Sequence, residues 1–309
     1  MRCIQKVDGD DVNSLDLSSW RIAMNGSEFV DPETMHEFSQ HFRAANFNSK
    51  AFLPVYGMAE ASLVVTFPPL NRDYQVICLE RKLLGKNTIK VLPANEPYSY
   101  VSGYMQVASV GTAAMGIEVC ILSEDSYLSQ AEEHLGEVCI RGSSVTSGYD
   151  SDEVDISESL IDGWLKTGDL GFFYRGELYI VGRIKDVIVL NGENFYAHDI
   201  ELVVQQVTEL TFQNLMAFGL RRNGLEELIL LVETPKSLTY TNERQKIEDA
   251  VRTLLFSSFG ITPSEIVFLT GDKLPMTSSG KLQRYKGADL YIKYRCDGLL
   301  LGDLATVAN

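Results

Sequence analysis

"WRIAMNGSEFVDPETMHEFSQHF" occupies residues 20–42, and "AFLPVYG" follows at 51–57. The first stretch begins with a short apolar run, 20–24, a strand candidate that breaks at Asn25-Gly26-Ser27-Glu28, a turn by composition. Asp31-Pro32 then opens a helix, because Asp is a good N-cap and Pro is tolerated at the first helical position. Met35, Phe38 and Phe42 recur at spacings of three and four, the stripe of an amphipathic helix. Residues 51–55 form a second buried strand that ends at Tyr56-Gly57. Strand, helix and strand in this order read as part of an open α/β sheet, in which ligands gather outside the carboxyl ends of the strands. The 25–28 turn and Tyr56-Gly57 both lie at such ends.

From about residue 100 the texture changes to short apolar runs separated by glycines, at 107–110, 117–122, 136–140, 171–173 and 178–181. Short strands at close spacing suggest a small barrel or antiparallel sheet. Beyond "GRIKDVIVLNGENFYAHDIE" the pattern predicts a helix at 198–207, strands near 213–219 and 227–233, a helix at 241–257, a strand at 265–269 and a terminal helix. The expected organisation is therefore α/β plus α+β: a partial α/β subdomain over 1–100, a β-barrel-like subdomain over 101–182 and an α+β domain over 183–309, with the boundary near 183–185.

With 309 residues, 45% of them hydrophobic, the chain is long enough for two domains with their own cores. The balance of 27 basic against 42 acidic residues, −15 net, argues against a nucleic-acid backbone as the main partner and against an anionic membrane surface. Cys3, Cys78, Cys120, Cys139 and Cys296 are odd in number, scattered and never in a CxxC pair, which suggests neither a disulfide framework nor a zinc site and fits a reducing cytosol. The N-terminal residues carry no apolar core of signal-peptide length, and no window approaches the ~18 apolar residues a membrane helix needs. A cytoplasmic protein without a membrane span is expected.

"LPMTSSGKLQRYK", 274–286, mounts a single lysine behind two serines, a threonine and a glycine. It has the look of a phosphate loop, but Leu282 stands where Ser or Thr should follow the lysine, and Pro275 interrupts the strand that should precede it. On these residues alone, a solvated turn and an anion-binding lysine both stay open.

Taken together, "NGSEF" at 25–29, "YGMAEAS" at 56–62, "GWLKTGDLGFFYRGELYIVGRIKD" at 163–186, "NGENFYAHDIE" at 191–201 and "LPMTSSGKLQR" at 274–284 resemble the adenylate-forming superfamily of acyl-CoA synthetases, adenylation domains and luciferases. The closest resemblance is to its fatty acyl-AMP ligase branch. The resemblance implies a fatty acid carboxylate attacking the α-phosphorus of ATP to give an acyl-adenylate and pyrophosphate. Two anions must meet, so the site supplies positive charge and positioning more than acid–base chemistry. By resemblance, Tyr56 stacks on the adenine, Gly26 and Ser27 cover its other face, and backbone from Gly57 through Met58 to Ala59 lies beside it. Glu60 would hold Mg²⁺, Asp169 the ribose hydroxyls, and Arg183 the ribose or phosphate edge, with Ile180 lining the adenine pocket. Lys281 would be the catalytic lysine, on a flexible loop of a mobile C-terminal domain that swings about a hinge at Lys185.

Three features favour transfer of the acyl group to the phosphopantetheine arm of an acyl carrier protein. Ala59 stands where most of the superfamily has threonine; Asn194, Tyr196, Asp199, Ile200 and Glu201 are in the branch's register; and 67–101 resembles its insertion. An acyl-CoA ligase and a catalytically incomplete nucleotide-binding remnant are the alternatives. Phe29 departs from the proline usual after the family's glutamate, a change expected to shift the turn slightly. Family members are nearly twice as long. The Ser/Thr/Gly-rich loop that grips their β- and γ-phosphates has no counterpart here beyond 277–280 and "RGSSVTSGY" at 141–149, so the chain is expected to be the C-terminal half, inactive alone.

Overall fold

A computed structural model of the chain describes residues 2–92, 103–123, 128–129, 131–148, 159–207, 214–222, 224–234, 241–270, 273–278 and 280–302. The chain forms two compact units, one of Met1–Tyr98 and Tyr104–Lys185, the other mainly of Asp186–Asn309.

In the first unit, β1 (Ala23–Asn25) pairs in parallel with β2 (Phe52–Pro54), Ala23 opposite Phe52 and Asn25 opposite Pro54. Between them runs α1 (Pro32–His41), whose cap Asp31 accepts from the Glu33 and Thr34 N–H groups at 3.1 Å each. The helix buries Met35, and Phe42, Phe47, Phe52 and Ala23 close the same core. Of the apolar run 20–24, only Ala23 and Met24 lie in the strand. Trp20 instead turns its ring edge-on to Phe47, centroids 5.5 Å apart, and its indole N–H donates to the Ile22 carbonyl. An aromatic side chain with a nearby core and a local acceptor gains more from that contact than from strand pairing.

β3 (Tyr56–Gly57) pairs with β4 (Val64–Phe67), and the chain then enters an antiparallel sheet of β5 (Ile117–Leu122), β6 (Gly136–Gly142), β7 (Trp164–Tyr174) and β8 (Glu177–Arg183). Alternate residues Ile117, Val119 and Ile121 of β5 face Val138 and Ile140 of β6 in one core, the period-two pattern of a strand with one buried face. Tyr56, Ala61 and Val65 belong to that same core. The α/β and barrel-like parts, separated at residue 100 on sequence, thus form one compact unit because they share apolar residues. The runs 171–173 and 178–181 prove to be segments of one long β7–β8 hairpin. It turns at Arg175-Gly176 with φ of 50° and 77°, the mirror-image turn whose twist suits a two-residue connection. Of the segment 67–101 expected to be an insertion, Val76–Glu80 pairs antiparallel with Tyr104–Ala108 beyond it, and 93–101 lie outside the described residues.

The second unit builds on β9 (Leu215–Arg222), antiparallel to β10 (Leu225–Thr234), which is in turn parallel to β11 (Glu265–Thr270). Ile200, Val203 and Val204 of α2 (Ala197–Val204) and Ile247, Val251 and Leu255 of α3 (Thr241–Phe259) cover one face of this sheet. Leu274 and Tyr291, the latter from α4 (Gly287–Gly302), cover the other against Met216, Phe218, Ile229 and Leu231. Burial on both faces is why 228–232 reads as an unbroken apolar run and not an alternating one. Among the described residues, no helix is long and apolar enough to cross a membrane.

Candidate functional site

Because β1 and β2 run parallel, their carboxyl ends lie side by side, and the Val55 N–H donates to the Asn25 carbonyl at 2.8 Å. The turn that follows β1 therefore rests against 55–57. A Cβ on Gly26 would stand 2.5 Å from the Val55 carbonyl oxygen, and one on Gly57 only 1.9 Å from that of Leu63. Side chains at these two positions would force backbone apart. Gly57→Ala is expected to cost about 2 kcal/mol or more, read as a lowered thermal midpoint of the first unit. Ser27 is exposed and holds a φ of 75°, in the left-handed region, so its side chain is displayed and not packed.

Tyr56 is 8% exposed, its ring within the barrel core and its hydroxyl donating to Asp169 Oδ2 at 2.7 Å. Arg183 Nε donates to the other oxygen, Oδ1, at 2.9 Å. Asp169 and Arg183 are direct partners across β7–β8, so the hairpin register accounts for their separation of fourteen residues. Asp169 is 5% exposed, whereas the Arg183 side chain is 65% exposed, so the arginine's remaining N–H groups face outward.

The backbone that carries Asp169 is clasped. Thr167 Oγ1 donates to the Val138 carbonyl at 2.8 Å and accepts from the Asp169 N–H at 3.1 Å; Glu137 Oε1 accepts from the Gly168 N–H at 2.9 Å. Sequence reasoning missed both clasping residues. Thr167 could have been found, since a Ser or Thr hydroxyl commonly accepts from the amide two residues on. Glu137, thirty-one residues away, leaves no local trace.

Burial pushes the Tyr56 hydroxyl well above the usual tyrosine range, with the Asp169 charge adding to it, and burial pushes Tyr179 up to about 12, with Glu177 adding. Unfolded, both would ionise near pH ~10. The unfolded chain therefore gives up its protons first as pH rises. Native stability from these groups is complete below about pH 10 and is lost as pH climbs through the raised folded values. Thermal midpoints should hold at about pH 9 and fall by about pH 11, and Tyr56→Phe should remove part of that fall.

Met58 and Ile180 pack, partly buried, on the same core as Tyr56, while Ala59 is exposed. Glu60 lies half-buried in the short turn Ala59–Ala61, where its carbonyl accepts from the Thr146 N–H at 2.7 Å. Among the described residues, no cluster of three or more His, Cys, Asp or Glu side chains could hold a metal by itself. A single carboxylate suits Mg²⁺, which usually binds through one or two carboxylates together with phosphate oxygens and water. The structure thus brings Gly26, Tyr56, Gly57, Met58, Asp169, Ile180 and Arg183 into one unit. Tyr56 offers a nucleotide only a narrow surface, since the barrel core takes most of its ring.

Lys281 lies in the second unit, and Lys185 is exposed at the division between the two. The lysine segment, expected as a flexible loop, carries several local hydrogen bonds. The Thr277 N–H donates to the Lys281 carbonyl at 2.8 Å, Gly280 N–H to Thr277 O at 2.9 Å and Gln283 N–H to Pro275 O at 2.9 Å. Thr277 Oγ1 also accepts from the Lys281 N–H at 3.0 Å, and Met276 bridges Leu282. These bonds close a hairpin; Ser279 lies outside the described residues.

Residues 2–150 match the sequence profile of the family described as AMP-binding enzyme. The medium-chain-fatty-acid–[acyl-carrier-protein] ligase JamA of Moorena producens is 32% identical over 291 residues, covering 91% of this chain and 49% of JamA. A Caulobacter vibrioides protein whose name places it among acyl-CoA synthetases is 30% identical over 94% of this chain and 50% of its own length. A solved structure from a study of fatty acyl-adenylate ligases of E. coli and L. pneumophila superposes with a TM-score of 0.83 at 32% identity, over 96% of this chain and 51% of that one. The chain spans about half the length of the curated relatives it matches.

Proposed function

We infer that this chain, whose fold is that of the adenylate-forming enzymes and whose relatives are fatty acid ligases, is the C-terminal portion of a fatty acyl-AMP ligase. The observation that carries the reading is the buried Asp169 carboxylate joining Tyr56 to Arg183 at 2.7 and 2.9 Å, with Tyr56 followed by Gly57, where backbone approaches too closely for a Cβ. Asp169 takes the ribose hydroxyls, as the resemblance implies, and the exposed Arg183 reaches toward the ribose or phosphate edge. The Gly26–Ser27 turn and the edge of Tyr56 border the adenine, with Ile180 beneath.

In the reaction, a fatty acid carboxylate oxygen bonds to the α-phosphorus of ATP as the bond to pyrophosphate breaks. Lys281 holds the attacking carboxylate and the α-phosphoryl oxygens together and offsets the negative charge that develops between them. Glu60 would hold Mg²⁺, which when bound neutralises charge on the phosphates. The acyl group then passes to a thiol, releasing AMP. A carrier protein's phosphopantetheine arm is the acceptor favoured by Ala59 and by the Asn194–Glu201 register, in keeping with the carrier-protein activity named for JamA. Coenzyme A is the alternative, favoured by the acyl-CoA synthetase relative.

The test is ATP–pyrophosphate exchange by the enzyme containing this chain, with and without a medium-chain fatty acid, followed by incubation of the adenylate with holo carrier protein or coenzyme A. Exchange that depends on the fatty acid, and acyl transfer to the carrier protein, are expected. Exchange indifferent to the fatty acid would remove the reading, and transfer to coenzyme A alone would move the chain to the other branch.

A further inference from the structure

The hairpin that presents Lys281 is anchored at both ends by buried carboxylates. At its start, the Leu274 N–H donates to Glu233 Oε1 at 2.5 Å, and Asn214 Nδ2 donates to Glu233 Oε2 at 2.7 Å. At its end, Arg284 grips Glu201 with two prongs, Nε to Oε1 at 3.1 Å and Nη2 to Oε2 at 2.5 Å, while its Nη1 donates to Asp186 Oδ2 at 3.1 Å. Glu201 Oε1 further accepts from the Ala217 N–H of β9 at 2.9 Å. Glu233 and Glu201 are 4% and 6% exposed. Burial pushes the Glu201 carboxyl up and the Arg284 charge pulls it back, so the pair depends on both members.

Asp186 is the residue immediately after Lys185, at the division between the units. Arg284, at the end of the lysine segment, therefore ties that segment to two other parts of the same unit: the first residue after the hinge and helix α2. The apolar core of the unit does not require this. Its sheet is covered by α2 and α3 on one face and by Leu274 and Tyr291 on the other, and Arg284 belongs to neither cluster. We propose that Arg284 is a positioning residue for Lys281, coupling Asp186, the residue that follows the hinge, to the hairpin so that both turn as one rigid piece. This rests on the roles read above for Lys281 and Lys185. It also confines the hinge rotation to Lys185 and the residues before it, because Asp186 is already fixed to the unit that moves. Lysine cannot replace Arg284, since an ammonium is a point charge without the planar fork that reaches Glu201 twice and Asp186 once.

The proposal is tested by site-resolved amide hydrogen exchange on the full 309-residue chain, comparing wild type with Arg284→Gln, Arg284→Lys and Asp186→Asn. In Arg284→Gln, the amides of Thr277, Gly280 and Gln283 should exchange about tenfold to a hundredfold faster, the range set by charge-assisted hydrogen bonds, while β9–β10 amides stay within about twofold. Arg284→Lys should fall between that variant and wild type. Asp186→Asn, which leaves the Glu201 prongs intact, should keep hairpin protection and so remain informative if the arginine variants unfold. In the adenylating enzyme containing this chain, Arg284→Gln and Asp186→Asn should both lower kcat for adenylate formation with KM for ATP nearly unchanged. Unchanged hairpin exchange in Arg284→Gln, uniform acceleration across the unit, or full kcat in Asp186→Asn would each overturn the proposal. Lys281→Ala serves as the control on the underlying reading: if it adenylates normally, the role of the lysine itself is wrong, whatever Arg284 does.

Discussion

Lys281→Ala is expected to lower the rate of adenylate formation by roughly 10²- to 10³-fold while leaving the fold intact. A preorganised positive group placed where charge develops contributes on that scale when removed singly. The side chain is only partly buried, and the hydrogen bonds that close the hairpin run through backbone atoms and Thr277 Oγ1, none of them through Nζ. Stability should therefore change by no more than about 0.5 kcal/mol, as for other substitutions away from packed features. Lys281→Arg keeps the charge but spreads it over a larger planar fork, so partial recovery is expected. Fatty-acid-dependent pyrophosphate exchange and thermal unfolding, measured on the same preparations, separate the two effects.

Asp169→Ala should act on both binding and stability. It removes the acceptor of a buried tyrosine hydroxyl, and an orphaned buried donor costs about 1–3 kcal/mol. The Arg183 side, 65% exposed, turns to water at little cost. Nucleotide affinity should fall about tenfold to a hundredfold, because hydrogen bonds from ribose hydroxyls to a charged acceptor contribute about 1.5–3 kcal/mol. Asp169→Asn divides the two roles. Its amide oxygen can still accept from Tyr56, so most stability should remain, while the loss of charge should still weaken binding. Equal binding by wild type, alanine and asparagine variants would remove Asp169 from the site.

Local chemistry made parts of this architecture legible in the sequence. Asp31-Pro32 and the spacing of Met35, Phe38 and Phe42 located α1, because a cap and an apolar stripe are written within a dozen residues. The Arg175-Gly176 turn was equally local, yet the strands beside it read as fragments. Gly168 and Gly171 interrupt β7 with a bulge between Leu170 and Gly171 where pattern alone sees breaks. Long-range relations were not legible. Nothing near Tyr56 announces that its ring lies in the barrel core or that its hydroxyl meets a carboxylate 113 residues away. The lysine segment, rich in small polar residues, reads as mobile. Its two ends are bonded to Glu233 and Glu201, which look like ordinary strand and helix acids until the fold buries them.

The most direct measurement is saturation-transfer NMR of AMP with the 309-residue chain and with its Asp169→Ala variant. This method registers weak binding, and the adenine and ribose contacts assigned to Gly26, Tyr56, Asp169, Ile180 and Arg183 all lie within one unit. Transfer to the adenine and ribose protons from the wild type, lost in the variant, is the expected result. No transfer from the wild type, or equal transfer from both, would contradict the assignment of this site to a nucleotide.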